Sequence, residues 1–244
     1  MTGKSPCWII QGGIIAAGHG TRLQADGYRV SKPMVPVAGR PLIELSLDRF
    51  RSVGIRRLSI IINEASDDCR DWLREHAGDF DLDLLVRTTP SSYASFHAVI
   101  GRLADGPAVI TTIDVVMRVD DFCTFVSSAA DLPNNVVALA LTHHVNDANP
   151  LWATLDSVDG HIRQLGGGNG THVTAGLYWL PAQRPRLPAT SFPRLRDYLA
   201  WLVRENSPVC GIVLPDVFDI DTARDLAAAE AAQFCREPGK VSRA

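Results

Sequence analysis

Lysine is nearly missing from this 244-residue chain. It occurs only at Lys4, Lys32 and Lys240, and arginine supplies the remaining cations. Cysteine is sparse as well: Cys7, Cys69, Cys123, Cys210 and Cys235 are widely separated, with no Cys-x-x-Cys pair. That spacing argues against a zinc ribbon or a disulfide framework and reads as thiols kept reduced, so a cytoplasmic location is expected. No run of about eighteen apolar residues occurs, which argues against a membrane-spanning helix. The net charge of −3 leaves no basic surplus for nucleic acid. The densest arginine group (Arg184, Arg186, Arg194, Arg196) is interleaved with prolines and an acid. Neither nucleic acid nor membrane is therefore an expected partner. The short apolar stretch near the start runs straight into a glycine loop and reads as a first core strand rather than a signal peptide.

What is present is an alternation of strand and helix signals. Trp8 to Ala16 reads as an apolar strand. Pro41 to Val53 has helical spacing of Leu42, Leu45, Leu47 and Phe50, with proline at its start and Gly54 at its end. Leu58 to Ile62 is a β-branched apolar run, as in a strand covered on both faces. Helix, strand and helix follow at Ser66–His76, Leu82–Arg87 and Ala94–Leu103, then a strand at Ala108–Ile113. This βαβ rhythm predicts a parallel sheet with helices on both faces. Farther on, Val136–Leu141 reads as a core strand. Asp159-Gly160 joins Leu151–Val158 to His161–Leu165 as a hairpin. Val173–Leu180 and Val209–Leu214 are further strands, with helices at Phe192–Glu205 and Thr222–Phe234. The expectation is an α/β chain folded as one Rossmann-like, three-layer domain over residues 1–244. Its mixed sheet is mostly parallel, with a β-hairpin region over the acceptor side. Residues 8–130 form the nucleotide-binding half, 131–235 the acceptor-binding half, and 236–244 a frayed tail.

Three features fall at strand ends, where open α/β sheets bind ligands. The first is the loop Gly18-His19-Gly20-Thr21-Arg22, whose glycines let the backbone approach a nucleotide and whose N–H groups can meet phosphate oxygens. Leu23 stands where a third glycine would complete a dinucleotide fingerprint, which disfavours a Rossmann oxidoreductase. The second is Lys32, ten residues after Arg22, inside the proline-punctuated segment Ser31-Lys32-Pro33-Met34. A compact ammonium beside a forked guanidinium suits a polyphosphate. The third is Asp114, which can either cap the next helix or hold a divalent cation.

Ala16-Ala17-Gly18-His19-Gly20-Thr21-Arg22-Leu23, Ser31-Lys32-Pro33-Met34 and Gly39-Arg40-Pro41-Leu42 together resemble the signature of the nucleotidyltransferases that make nucleotide sugars. Mannose-1-phosphate guanylyltransferases and glucose-1-phosphate thymidylyltransferases belong to that family. The similarity continues at Ile113-Asp114, at Thr174-Ala175-Gly176-Leu177-Tyr178 and at Asp219-Ile220-Asp221-Thr222. The resemblance implies a nucleoside triphosphate, Mg²⁺ and a phosphorylated acceptor, a sugar-1-phosphate first of all, giving an NDP-sugar and pyrophosphate. Arg22 and Lys32 would be the catalytic cations on the phosphates. Ala16, Ala17, Gly18, Gly20 and Thr21, with Arg22, would bind the nucleotide. Asp114 and Asp219 would hold Mg²⁺. Asp221 and Asp225 read as the cap of the following helix.

The chain also departs from that pattern. Ile113 precedes the first aspartate where the family has glycine, and Ser91 to Phe96 replaces the usual base-recognition segment. No Glu-Lys-Pro segment is present. Gly176, His161 and Arg163 are the candidates for acceptor binding, and with no second lysine in the folded body any further cation there is arginine or histidine. A cytidylyltransferase or guanylyltransferase acting on a non-sugar phosphorylated acceptor, a non-catalytic nucleotide-sugar-binding relative, and self-association all stay open. His143-His144 with Asp147 reads as surface or acceptor pocket rather than metal site, and Tyr178, Trp152 and Trp179 as core or pocket wall. Asp120-Asp121 is a distant candidate for the acidic pair of a glycosyltransferase.

Overall fold

The computed structural model describes residues 10–145, 149–168, 170–188 and 192–232. The first half runs β1 (Gln11–Ala16), α1 (Thr21–Ala25), a 3-10 turn (Lys32–Met34), β2 (Pro36–Val37), β3 (Arg40–Pro41), α2 (Leu42–Ser52), β4 (Arg57–Ile62) and α3 (Asp67–His76). It continues through β5 (Asp81–Val86), α4 (Ser92–Ile100), β6 (Ala108–Thr112), β7 (Val115–Met117) and α5 (Val119–Ala130). The second half contains β8 (Val137–Thr142), β9 (Trp152–Leu155), β10 (Ile162–Leu165), β11 (His172–Leu180), α6 (Leu195–Arg204), β12 (Val209–Val213), β13 (Val217–Asp219) and α7 (Ala223–Ala231). The tail at 236–244, Asp147, and the start of the expected first strand lie outside the described residues.

One sheet runs through both halves, in the order β10-β9-β11-β6-β1-β4-β5, with β8 beside β11 and β12 beside β8. β1 pairs β4 and β6 in parallel, and β5 extends the same direction from β4. β11 is antiparallel to β6, β8 and β9, and β12 is parallel to β8. It follows that only β11 and β10 run against the rest, so the expected mixed, mostly parallel sheet is observed. The β9–β10 hairpin is antiparallel, as Asp159-Gly160 predicts. Its turn leans on β12, where Gly211 N–H donates to Gly160 O at 3.0 Å and His161 bridges Cys210.

Alternation along the strands explains the layers, because neighbouring residues of a strand face opposite sides. Ile14, Ile60, Ile62 and Val109 join one buried cluster, which includes Leu47 and Phe50 of α2, Leu73 of α3, Phe122 and Phe125 of α5, and Leu226 of α7. Ile15, Ile61, Ala108 and Ile110 join the other, with Phe96 of α4 and Tyr198 and Leu202 of α6. Each fully buried Ile, Leu or Phe contributes about 1.5–3 kcal/mol by leaving water. α5 is not among the helices expected from the sequence, although Phe122, Phe125, Val126 and Ala129 recur at helical spacing and are buried. Among the described residues no helix is long and apolar enough to cross a membrane.

Candidate active site

The chain lays down β1, β4 and β5 in one direction across the sheet, then returns to the far side of β1 for β6. The order therefore reverses at β1, and a crevice opens beyond the carboxyl ends of β1 and β6. Ala17 leaves β1 on one side of that crevice, and Asp114 leaves β6 on the other. Asn63, at the end of β4, donates to Ala17 O at 3.0 Å and so fixes where the loop begins. Gly20 has φ 63°, and a Cβ added there would lie 3.0 Å from Lys32 Cβ. Only glycine both adopts this backbone and leaves room for the lysine stem. The two motifs are therefore packed on each other.

Lys32 is buried, with 8% of its side chain exposed. Its Nζ donates to Asp114 Oδ2 and to Asp221 Oδ1, both at 2.7 Å. The other oxygen of Asp221 accepts from Arg22 Nη1 at 2.8 Å. Burial alone would lower the lysine's proton affinity, but Asp114, Asp221 and Asp219 outweigh it and hold the ammonium above its ordinary value. For Asp114, burial favours the acid form. The Lys32 charge and hydrogen bonds from Lys32 and Thr112 overcome that and keep its carboxyl below the usual range.

One late segment brings the other acids. β13 pairs antiparallel with β7, setting Asp219 opposite Val115, and Ile220 N–H donates to Asp114 O at 2.9 Å. Oxygens of Asp114, Asp219 and Asp221 lie within 4.8 Å of one another, the one such acidic group among the described residues. Asp120 and Asp121 are not part of it; they occupy the first turn of α5, where acids favour the helix dipole. The cap of α7 is made by Thr222 and Asp225, each satisfying the other's backbone N–H. Asp225 thus caps as expected, and Asp221 does not. Its carboxylate turns to Lys32 and Arg22 instead. β13 ends at Asp219 and Asp221 lies at a bend beyond it, so no strand alternation in the sequence announced this pairing.

Beside the acids lies a cavity of about 330 Å³, lined among others by Thr112, Gly176, Tyr178, Arg194 and Arg196. Gly176 sits in β11 with φ 62°, and a Cβ would meet Val115 Cγ2 at 2.4 Å and Thr112 Oγ1 at 2.5 Å. Tyr178 is buried, and burial with the fields of Asp114 and Asp219 keeps its phenol protonated. Arg196 donates to Asn149 O at 2.5 Å, and Leu195 N–H donates to Ser92 Oγ at 2.9 Å, which joins the starts of α6 and α4.

A model of the MobA-like NTP transferase domain matches residues 12–186, more than half of the chain. The chain belongs to this family. Curated relatives of this MobA-like domain are nucleotidyltransferases. N-acetylmuramate alpha-1-phosphate uridylyltransferase of Neisseria meningitidis serogroup B is 26% identical over 206 residues, 79% of this chain and 85% of that protein. CMP-5'-(3-aminopropyl)phosphonate synthase of Streptomyces rubellomurinus is 29% identical over 91 residues, 37% of this chain. That match spans only 14% of the synthase. In structure, the inositol-1-phosphate CTP transferase of T. maritima superposes with a TM-score of 0.77, covering 94% of this chain and 98% of that one. At 14% identity this likeness shows the fold alone.

Arg22, Lys32 and Asp114 lie within the matched residues and meet Asp219 from beyond them, while Ala16 ends β1 and Ala17, Gly18, Gly20 and Thr21 follow it into α1. Gly176 lines the cavity. His161 and Arg163 do not. Arg163 is held by Asp156 and Asp159 on the hairpin, and His161 sits beside Asp159. Residue type and a place after the core strands make both look suited to the acceptor, but the hairpin turn leans toward β12. Arg194 and Arg196, noticeable in the sequence only as part of a proline-broken arginine group, occupy the cavity wall instead. His144 also lines the cavity, with its ring 4.4 Å from Phe218, whereas His143 packs on His172.

Proposed function

We propose that this protein is a Mg²⁺-dependent nucleotidyltransferase that couples a nucleoside triphosphate to a sugar-1-phosphate, giving an NDP-sugar and pyrophosphate. The observation that carries the reading is the buried Lys32 bridging Asp114 and Asp221 at the crevice, with Arg22 on the outer side. An oxygen of the acceptor's phosphate attacks the α-phosphorus. The bond from that phosphorus to the bridging oxygen breaks, and its electron pair leaves with pyrophosphate. The attacking group is already anionic, so no base is needed; the task is to align two anions and neutralise charge. Arg22 meets the β- and γ-phosphates as a fork, and Lys32 holds the α-phosphate and the incoming phosphate as a point charge. The rim from Ala16 to Thr21 receives base and ribose.

The acids fit a hard divalent cation, since three carboxylates converge within 4.8 Å. Asp114 and Asp219 would hold it, with Asp221 alongside, and Mg²⁺ so bound adds positive charge near the phosphate oxygens. Residues 8–130 supply the triphosphate side and 131–235 the acceptor side, except that Asp219 and Asp221 reach back into the first. Arg196 and Arg194 take the role of the missing second lysine on the acceptor's phosphate, beside Gly176. Incubation with each triphosphate, Mg²⁺ and a panel of sugar-1-phosphates, followed by pyrophosphate release, tests the reading. Release that persists in full in Lys32→Ala contradicts the site, and release with no sugar-1-phosphate contradicts the acceptor class. A phosphonate acceptor is the second reading, favoured by the phosphonate synthase among the relatives, and belongs in the same panel.

A further inference from the structure

Four charged side chains form a series of alternating sign whose last two members are the most exposed. Asp114 comes first with 21% of its side chain exposed, then Lys32 with 8%, Asp221 with 38% and Arg22 with 65%. The two cations belong to different segments, yet both oxygens of one carboxylate are used to hold them, one cation each. Asp221 is not needed to cap α7, because Thr222 and Asp225 do that. Its position between a point charge and a guanidinium fork is the environment a phosphate oxygen requires.

We propose that the Asp221 carboxylate is an internal stand-in for a nucleotide phosphate: it holds Lys32 and Arg22 together until a triphosphate takes both cations from it. The inference rests on the nucleotidyl-transfer reading. The exchange is physically accessible. The Arg22 pair is exposed and therefore weak, and Asp221 is open enough to solvent to turn. The larger consequence concerns what remains. When Lys32 and Arg22 move to phosphates, Asp114 and Asp221 lose these cations together, beside the converging carboxylate of Asp219. Like charges at that spacing disfavour one another until a divalent cation joins them. Triphosphate and divalent cation are thus coupled through Asp221, and each must tighten the other's binding by the same factor.

Calorimetric titration tests this without turnover. ATP, CTP, GTP, UTP and dTTP are titrated into the wild type, Asp221→Asn, Asp221→Ser and Asp221→Glu, each in EDTA and in Mg²⁺, with thermal melts to verify folding. For the nucleotide the wild type binds best, both neutral variants are expected to bind at least fivefold more tightly in EDTA, and the gain from Mg²⁺ shrinks by the same factor. Asp221→Glu keeps the wild-type coupling. Should one neutral variant fail to fold, the other decides. Unchanged or weaker binding in EDTA by a folded neutral variant overturns the proposal while leaving nucleotidyl transfer intact, as does a glutamate variant that behaves like asparagine. No binding of any triphosphate by the wild type in Mg²⁺ overturns both.

Discussion

Replacing Lys32 by methionine keeps the length of the stem and removes the charge, and the contacts of the ammonium set the cost. Two 2.7 Å bonds are lost: Asp114 faces Asp219 and Asp221 without the Lys32 ammonium, and Asp221 keeps only its exposed pair with Arg22. Removing one partner of a fully buried pair costs about 3–5 kcal/mol; with Asp114 and Asp221 partly open to water, we expect about 2–3 kcal/mol at pH 7.5. The pH dependence comes from the two shifts. The raised affinity of Lys32 stabilises the fold fully below the unfolded lysine value and is lost as pH rises through the folded one. The lowered value of Asp114 stabilises above the unfolded carboxyl value, near 3.9, and is lost as pH falls through the folded one. At pH 7.5 both contributions are present. In the methionine variant Asp114 keeps its burial and loses the lysine, so it takes up a proton at higher pH than in the wild type. The deficit between variant and wild type therefore narrows as pH falls from 7.5 through about 5 toward the unfolded carboxyl range. Urea unfolding of both proteins at pH 7.5, 5 and 4 measures it. A deficit below about 1 kcal/mol at pH 7.5, or one that does not change with pH, would refute the reasoning.

Other outcomes turn on single positions. Gly176→Ala puts a Cβ at positive φ and 2.4 Å from Val115 Cγ2, and should cost about 2–4 kcal/mol in denaturant titration; a loss under 1 kcal/mol means that β7 yields easily. Thr222→Ala removes half of the capping box of α7 and should lower stability by about 1 kcal/mol, measured the same way. Arg196→Ala should reduce kcat/KM for the acceptor roughly a hundredfold by taking away a charged contact, whereas Arg163→Ala, whose guanidinium is held by Asp156 and Asp159, should change it less than about twofold. Equal effects of the two would return the acceptor to the hairpin.

The parts legible in the sequence were those with local grammar. The apolar runs of β1, β4 and β6, the proline-to-glycine span of α2 and the Asp159-Gly160 turn each state their structure within a few residues. Lys32 stood out through scarcity and its proline setting. The parts that were not legible depend on distant pairing. Nothing near Asp221 reports that Lys32, 189 positions away, needs a second carboxylate. Nothing near Arg196 says that α6 begins beside the acids. His161 and Arg163 looked suitable by residue type, yet nearby aspartates had already engaged them. The acid-rich start of α5 masked a helix whose apolar spacing was readable.

The ribbon of β7 and β13 has a consequence for synthesis. Val116 faces Phe218 across it, so the segment that delivers Asp219 and Asp221 leaves the ribosome about a hundred residues after Asp114. At about 5–20 residues per second, the central strands exist for roughly 5–20 seconds before the last two acids arrive. A nascent chain in that interval has its glycine loop, Arg22, Lys32 and Asp114, but neither Asp219 nor Asp221. It cannot yet present three converging carboxylates to a cation. The acidic group becomes complete only when the late strand is stitched back onto the early one.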